Sequence, residues 1–534
     1  MELTLNGIKN REAFSKAEIG LPEYDVEAVR RNTEVSPRWV HFGIGNIFRI
    51  FIGGIADRLL TNGEMSTGIS AVETFDFDVV DKIYKPFDNL SLSVILHGDG
   101  RVDRQVLGSI SEALKANDSV DRERLQHIFT SPSLQLVSFT ITEKGYALKN
   151  AGGEYFGYVK SDLEKGPAGC VSAVAIVAEL LYARYRAGEL PIALVSMDNV
   201  SQNGSLLRKA VLTVVSEWKA RGFVPEAFEA YVSDESRVAF PWTMIDKITP
   251  RPAEKIAADL EARGLLKMQP VITEKRTYIA PFVNAEEPQY LVVEDNFPNG
   301  RPGLEKAGVY MTDRDTVNKS ERMKVTVCLN PIHSALGPYG VVLGYDLFSD
   351  EMKDPDMLML GRLVGYGEGM PVVPDPVILS PKAFIDECMN ERFPNPYLGD
   401  TCLRLSTDVS QGLGVRFGVT VRSYVERDGN AASLLGIPLA IAGWLRYMMG
   451  VSDAGNRYEL APDPMNEEVS KALSSIEFGH PETVTDQLKP LLSNENVFFI
   501  NLYEAGIGEK IEAIFREEIA GPGAVRKTLQ KYLA

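Results

Sequence analysis

Residues 39–63 read WVHFGIGNIFRIFIGGIADRLLTNG. A short apolar run ends in two glycines, and apolar residues then recur at helical spacing until Gly63 stops the pattern, so the stretch predicts a buried strand, a tight turn and a helix. Residues 68–74, GISAVET, read as a second strand. Further strand signals are LSLSVIL (90–96), LQLVSFTIT (134–142) and PIALVSMDN (191–199), and CVSAVAIVAELLYARYRAG (170–188) reads as a helix before the last of them. Strands alternating with helices over residues 38–200 predict an α/β fold with a Rossmann-like, doubly wound parallel sheet.

After QYLVVEDNFPNGRPGLE (289–305) strand signals become scarce, and helix-period segments such as GIPLAIAGWLRYMMGV and KIEAIFREEIAG dominate. The expected organisation is a polar arm over 1–37, a nucleotide-binding domain over 38–310 and a mainly α-helical substrate domain over 311–534. A chain of 534 residues exceeds the size at which one core stops growing, which agrees with two domains.

Composition narrows the function. With 56 basic and 73 acidic residues the net charge is −17, which argues against nucleic acid or an anionic membrane as partner. An anionic small molecule could bind only where Arg or Lys is concentrated locally. No apolar run is long enough to span a bilayer, and the polar first twenty residues lack the pattern of a secretory signal. Cys170, Cys328, Cys388 and Cys402 are far apart, and His41, His97, His127, His333 and His480 are dispersed, so a reduced cytoplasmic protein without a bound metal is expected. Nothing in the sequence signals an oligomeric state.

Gly43-Ile44-Gly45-Asn46-Ile47-Phe48 lies at the first strand-to-helix junction. Glycines there let backbone approach a pyrophosphate, and the helix start offers free N–H groups and a positive dipole end. Phe48 stands where a third glycine would complete the dinucleotide fingerprint, and glycine in such a turn can also serve geometry alone. Glu73 closes the second strand, where a carboxylate can accept from the adenosine ribose and repel a 2′-phosphate, favouring NAD(H) over NADP(H). Asp76 competes for that role, and either acid could instead be a solvated loop residue.

Residues 320–340, SERMKVTVCLNPIHSALGPYG, place Lys324, Asn330 and His333 among apolar neighbours. Pro331 suggests that Asn330 caps a helix. A lysine buried there loses charge stabilisation and moves toward neutrality, the state that accepts an alcohol proton, while an asparagine can donate to a developing alkoxide. The alternatives are a core histidine and a snorkelling lysine. Asn199, after the strand PIALVSMDN, is a second donor candidate, with an Asx-turn or helix cap as its other reading.

Taken together, HFGIGNIFR (41–49), SMDNVSQNG (196–204), FPWTMIDKITP (240–250), YLVVEDNFPNGRP (290–302) and LNPIHSAL (329–336) resemble the long-chain mannitol dehydrogenase family over roughly residues 38–500. The resemblance implies metal-independent oxidation of a secondary alcohol of a sugar acid or polyol with NAD(H). It makes Lys324 the general base, Asn199 and Asn330 the oxyanion donors, and His333 the substrate-orienting group. Gly43, Gly45, Asn46, Ile47, Phe48 and Glu73 would hold the cofactor. Arg404, in RLSTDVSQ (404–411), corresponds to the family's substrate arginine. A carboxylate substrate needs a cation, which Arg404 can supply as a bidentate clamp, with Arg416 as its backup.

Three positions depart from the family pattern. Five residues instead of four separate Lys324 from Asn330. One extra helical residue turns a side chain by about 100°, so a local bulge is required if Lys324 is the base. Gly412 replaces a lysine, and Ile50 replaces a histidine. Within the family the phrases around LNPIH and FPNPYLGDTCLRLSTD (393–408) point to D-fructuronate and D-mannonate. Mannitol 2-dehydrogenase and tagaturonate reductase are the alternatives, and an inactive nucleotide-binding regulator is the reading from another class.

Overall fold

Trp39–Phe42 (β1) is buried on both faces, as a strand covered by helices on either side must be. In the computed structural model, which describes residues 1–534, it is a central strand of a six-stranded sheet. The others are Ile69–Glu73 (β2), Ile110–Lys115 (β3), Leu136–Phe139 (β4), Ile192–Ser196 (β5) and Val238–Ala239 (β6). They lie in the order β3-β2-β1-β4-β5-β6, and every pairing is parallel. The order reverses between β1 and β4, and the crevice beyond the strand ends at that switch point is where such sheets bind ligands.

The chain divides into two units, Met1–Asn318 and Lys319–Ala534. The first is the expected α/β unit with its Rossmann-type sheet. The regular elements of the second are helices, the most apolar being Gly436–Met448, which is buried along its whole length. Residues 1–37 carry the helices Arg11–Lys16 and Val26–Val35 and bury Leu3, Phe14, Ile19 and Val26 in one cluster with Leu92 and Phe282.

One strand expectation is corrected. Ser91–Leu96 is a strand, but it belongs to a separate three-stranded sheet, pairing with Val102–Leu107 antiparallel and Phe282–Ala285 parallel. Its continuous burial reveals a strand without naming its partners. The edge position in the main sheet goes to β3, whose half-exposed Glu112 and Lys115 give it the polar look of an edge strand. No helix is long and apolar enough to cross a membrane.

Candidate active site

The turn after β1 uses its two glycines differently. Gly43 has φ +89°, and a Cβ there would stand 2.1 Å from the Thr140 carbonyl oxygen, so the fold itself demands glycine. Gly45 has no atom within 4 Å of where its Cβ would lie. Its lack of a side chain opens backbone to an incoming group and serves no packing need.

The turn is braced from below. His41 is fully buried, with Nδ1 2.6 Å from Ser138 Oγ and Nε2 2.8 Å from Thr140 Oγ1, and Thr140 Oγ1 donates to Gly43 O at 2.7 Å. Burial pushes the His41 imidazole down to about 3, so it stays neutral. Tyr84 Oη donates to Ile44 O at 2.7 Å from the other side. Arg49 points away from the turn. Its guanidinium donates to Ala280 O (2.7 Å), Pro281 O (2.8 Å) and Ser91 Oγ (3.2 Å), which makes it a structural tie.

The helix beyond the turn starts at Asn46-Ile47 and passes through a π-helical turn over Phe48–Ile52. Asn46 Oδ1 is buried without a hydrogen-bond partner. An open glycine, a helix start and an unpaired amide oxygen at the switch point fit a dinucleotide pyrophosphate and its ribose hydroxyls.

Glu73 ends β2 as the ribose-binding acid should, but one oxygen is already committed. Oε1 accepts N–H groups from Thr74 (2.9 Å), Phe75 (2.8 Å) and Asp76 (3.2 Å). Burial raises its pKa and these backbone donors oppose the rise. Asp76 is tied to Thr273 Oγ1 at 2.6 Å.

At the carboxyl end of β5 the motif residues are knitted together. Asp198 accepts from the N–H groups of Ile141 and Thr142, each at 3.0 Å, and from Tyr146 Oη at 2.6 Å. Asn203 accepts from Thr243 N–H at 3.0 Å and donates to Asp198 O, Thr243 O and Thr243 Oγ1. A Cβ on Gly204 would meet Phe240 O at 2.6 Å. Thr243–Asp246 then pairs antiparallel with Tyr290–Glu294. The segments around SMDNVSQNG, FPWTM and YLVVED are thus one structural knot, and Asn199 is exposed in the turn above it.

In the second unit, Lys324 is 2% exposed and opens a π-helical turn over Lys324–Cys328. Its carbonyl accepts from Leu329 N–H at 3.1 Å, five residues on. A π turn holds one residue more than an α turn, so the chain has a bulge at the place where the longer lysine–asparagine spacing needs one. Leu329 (φ −132°, ψ −66°) breaks the helix, and Asn330–Leu343 begins the next.

Asn330 is therefore the first helical residue, one position later than the capping role expected for it. The π turn delivers the irregular backbone to Leu329, whose side chain cannot cap. Asn330 Oδ1 is left buried without a partner. A half-turn of the amide puts Nδ2 in the same place, so the position can present a donor. His333 stands one turn further, against Phe348 (5.1 Å) and Phe393 (4.6 Å).

The two candidate arginines differ. Arg404, on Cys402–Leu405, is 60% exposed and ion-paired with Asp400. Arg416 is half-buried in the π-helical turn Gly414–Gly418, and its Nη1 donates to Ser334 Oγ at 2.6 Å. Burial lowers its pKa and Asp408 opposes that shift.

A parallel sheet in this order with a glycine turn after β1 is the arrangement of dinucleotide-binding enzymes. The family model of the mannitol dehydrogenase Rossmann domain matches residues 37–306, and that of the mannitol dehydrogenase C-terminal domain matches residues 316–513. The chain belongs to the mannitol dehydrogenase family, and with it to the NAD-dependent dehydrogenases. It is 50% identical to a D-mannonate oxidoreductase of Thermotoga maritima over 99% of both chains. A polyol:NADP oxidoreductase of Gluconobacter oxydans is 29% identical over 86% of this chain and 89% of its own. The structure of Pseudomonas fluorescens mannitol 2-dehydrogenase in ternary complex with NAD and D-mannitol is similar with a TM-score of 0.72 at 25% identity, covering 100% of this chain and 99% of that one.

Proposed function

We propose that this enzyme interconverts D-fructuronate and D-mannonate with NAD(H). The observation that carries the substrate is the 50% identity, along the whole chain, to a D-mannonate oxidoreductase. Bound NAD(H) supplies or accepts the hydride. Lys324 gives its proton to the carbonyl oxygen during reduction and takes the hydroxyl proton during oxidation, without a metal ion. Its burial and the π turn that absorbs the extra residue before Asn330 support this role.

Asn330 and Asn199 donate to the substrate oxygen, and His333 orients a neighbouring hydroxyl. Arg404 is the substrate-binding arginine that the family pattern assigns. Gly43, Gly45, Asn46, Ile47 and Phe48 form the cofactor turn, and Glu73, at the end of β2, disfavours a 2′-phosphate. The four cysteines are free and buried, which accords with a reduced cytoplasmic location.

A polyol reading is favoured by the likeness to mannitol 2-dehydrogenase. Steady-state assay of D-fructuronate, D-tagaturonate and D-fructose with NADH and NADPH, each with and without a chelator, tests the proposal. The expected result is the highest kcat/KM for D-fructuronate with NADH, unaffected by chelation. A preference for D-fructose would reverse the substrate assignment.

A further inference from the structure

The second unit holds a cation whose hydrogen-bonding capacity is mostly unspent. Three arginines elsewhere are fully buried, and each is wrapped by acceptors. Arg184 donates to five main-chain carbonyls, those of Phe129, Ser131, Leu134, Leu190 and Pro191. Arg446 donates to the carbonyls of Val451, Ser452 and Glu518, and Arg49 has the three acceptors described above. Saturation of that kind marks a structural arginine, because a buried guanidinium short of acceptors is costly.

Arg416 is not saturated. Ser334 Oγ, a neutral acceptor, is its one hydrogen-bond partner, and Asp408, the one carboxylate whose charge it feels, is beyond ion-pair distance. Arg416 is half-buried, and none of its nitrogens is among the sealed, unpartnered side-chain atoms, so its remaining N–H groups are reachable. Its position is also prepared. Helical side chains lean toward the N-terminus and onto the residue four before, and here that residue is Gly412. A Cβ at 412 would lie 2.5 Å from Arg416 Nε and 2.6 Å from Cζ. Glycine leaves the shelf on which the guanidinium lies.

The shelf faces the helix that carries Asn330. Ser334 is four residues after Asn330, hence on the same face one turn along, about 5.4 Å. In an extended hexuronate the ketone carbon and the carboxylate carbon are separated by four carbon–carbon bonds, a comparable span. We infer that Arg416, laid over Gly412 and braced by Ser334, receives the carboxylate of the acid substrate and sets the preference for a hexuronate over a neutral ketose. A planar guanidinium with free parallel N–H groups matches a carboxylate in two bonds, and the arriving anion supplies the charge the site lacks.

The inference rests on the uronate reading, and the test separates the two. The parent enzyme is assayed on D-fructuronate and D-fructose with NADH, alongside Arg416→Met, Arg416→Lys and Gly412→Ala, with NADH affinity measured by fluorescence titration. Arg416→Met is expected to raise the D-fructuronate KM about 100-fold with a smaller change in kcat. Arg416→Lys should recover part of that loss. Gly412→Ala leaves the arginine in the chain but pushes it off its shelf, and should raise the same KM on the order of tenfold. NADH affinity should hold in all three, which also reports that each is folded, and added methylguanidine should lower the D-fructuronate KM of Arg416→Met.

A parent that prefers D-fructose overturns the uronate reading, and this inference with it. A parent active on D-fructuronate, with Arg416→Met and Gly412→Ala both within about twofold of its KM, overturns the role of Arg416 alone.

Discussion

At the carboxyl end of β5, Asp198 and Asn203 have their polar atoms engaged by backbone and hydroxyl groups of neighbouring segments. At the start of the Asn330 helix, Asn330 Oδ1 meets no partner, and Arg416 has one. Both regions carry motif residues of the family, so the motif alone does not separate scaffold from chemistry. Saturation does, because a polar atom left unpaired in a folded protein costs about 1–3 kcal/mol and persists where a ligand completes it.

Reachability sharpens the contrast. Glu518 Oε2 and Glu351 Oε1 also lack partners, yet both residues are completely buried and no ligand can reach them. Such groups shed their charge instead of binding.

The largest effect is expected at the reactive end. On the proposed role of Lys324 as proton donor and acceptor, replacing it by Met should lower kcat by roughly 10²–10⁴-fold. Cofactor affinity should survive. Stopped-flow measurement of a single turnover across pH 6–10 would show it, and a variant within threefold of the parent would move the proton transfer to another group.

Next is the sealed carboxyl. Burial pushes Glu518 up to about 8. Tyr339 Oη donates to Glu518 Oε1 and also lies 2.8 Å from Leu439 O. A carboxyl with a raised folded pKa contributes stability that is full below its unfolded value, near 4.5, and is lost as pH rises through the folded one. Its contribution should therefore fall between about pH 4.5 and 8 by up to roughly 5 kcal/mol and level off above. Glu518→Gln keeps an acceptor for Tyr339 and carries no titrating proton, so its urea midpoint should change less over that window and exceed the parent's at pH 8. Parallel pH profiles for the two proteins would exclude Glu518 as the source.

A paired substitution tests the comparison directly. Asn203→Ala should cost about 2–3 kcal/mol of stability by stranding Thr243 N–H and its neighbours. Asn330→Ala should leave stability within about 0.5 kcal/mol and lower kcat by roughly 10²-fold. The same thermal-melt and steady-state measurements on both variants suffice. If the two profiles came out alike, saturation would lose its value as a guide.

The sequence showed some of this and concealed the rest for identifiable reasons. The strand, turn and helix from Trp39 to Gly63 were legible because an apolar run, two glycines and a helical period agree locally. β3 was not, since edge strands look polar and their partners are set by tertiary contacts. The π turn at Lys324–Cys328 has no residue signature and shows only as a spacing one longer than the family's. Arg416 ranked below Arg404 on the motif, yet a signal was present: a glycine four residues before an arginine in a helix allows the arginine to fold back. Ser334, inside LNPIHSAL, was overlooked because a hydroxyl in an apolar helix reads as neutral.

The smallest expected effect falls at Gly45, one of two turn glycines that sequence alone could not tell apart. At Gly43 an added methyl group meets the Thr140 carbonyl at 2.1 Å on a backbone with φ +89°. Gly43→Ala should therefore lose at least about 2 kcal/mol of stability. At Gly45 the φ is not positive and nothing is within 4 Å, so alanine fits the empty turn without strain. Only an occupant of the space above would notice it. Gly45→Ala should melt at or slightly above the parent temperature and bind NADH about tenfold more weakly, close to 1.4 kcal/mol. Fluorescence titration of NADH beside a thermal melt decides it. Unchanged affinity would mean that the pyrophosphate does not approach the chain at Gly45, and the open space there would need another explanation.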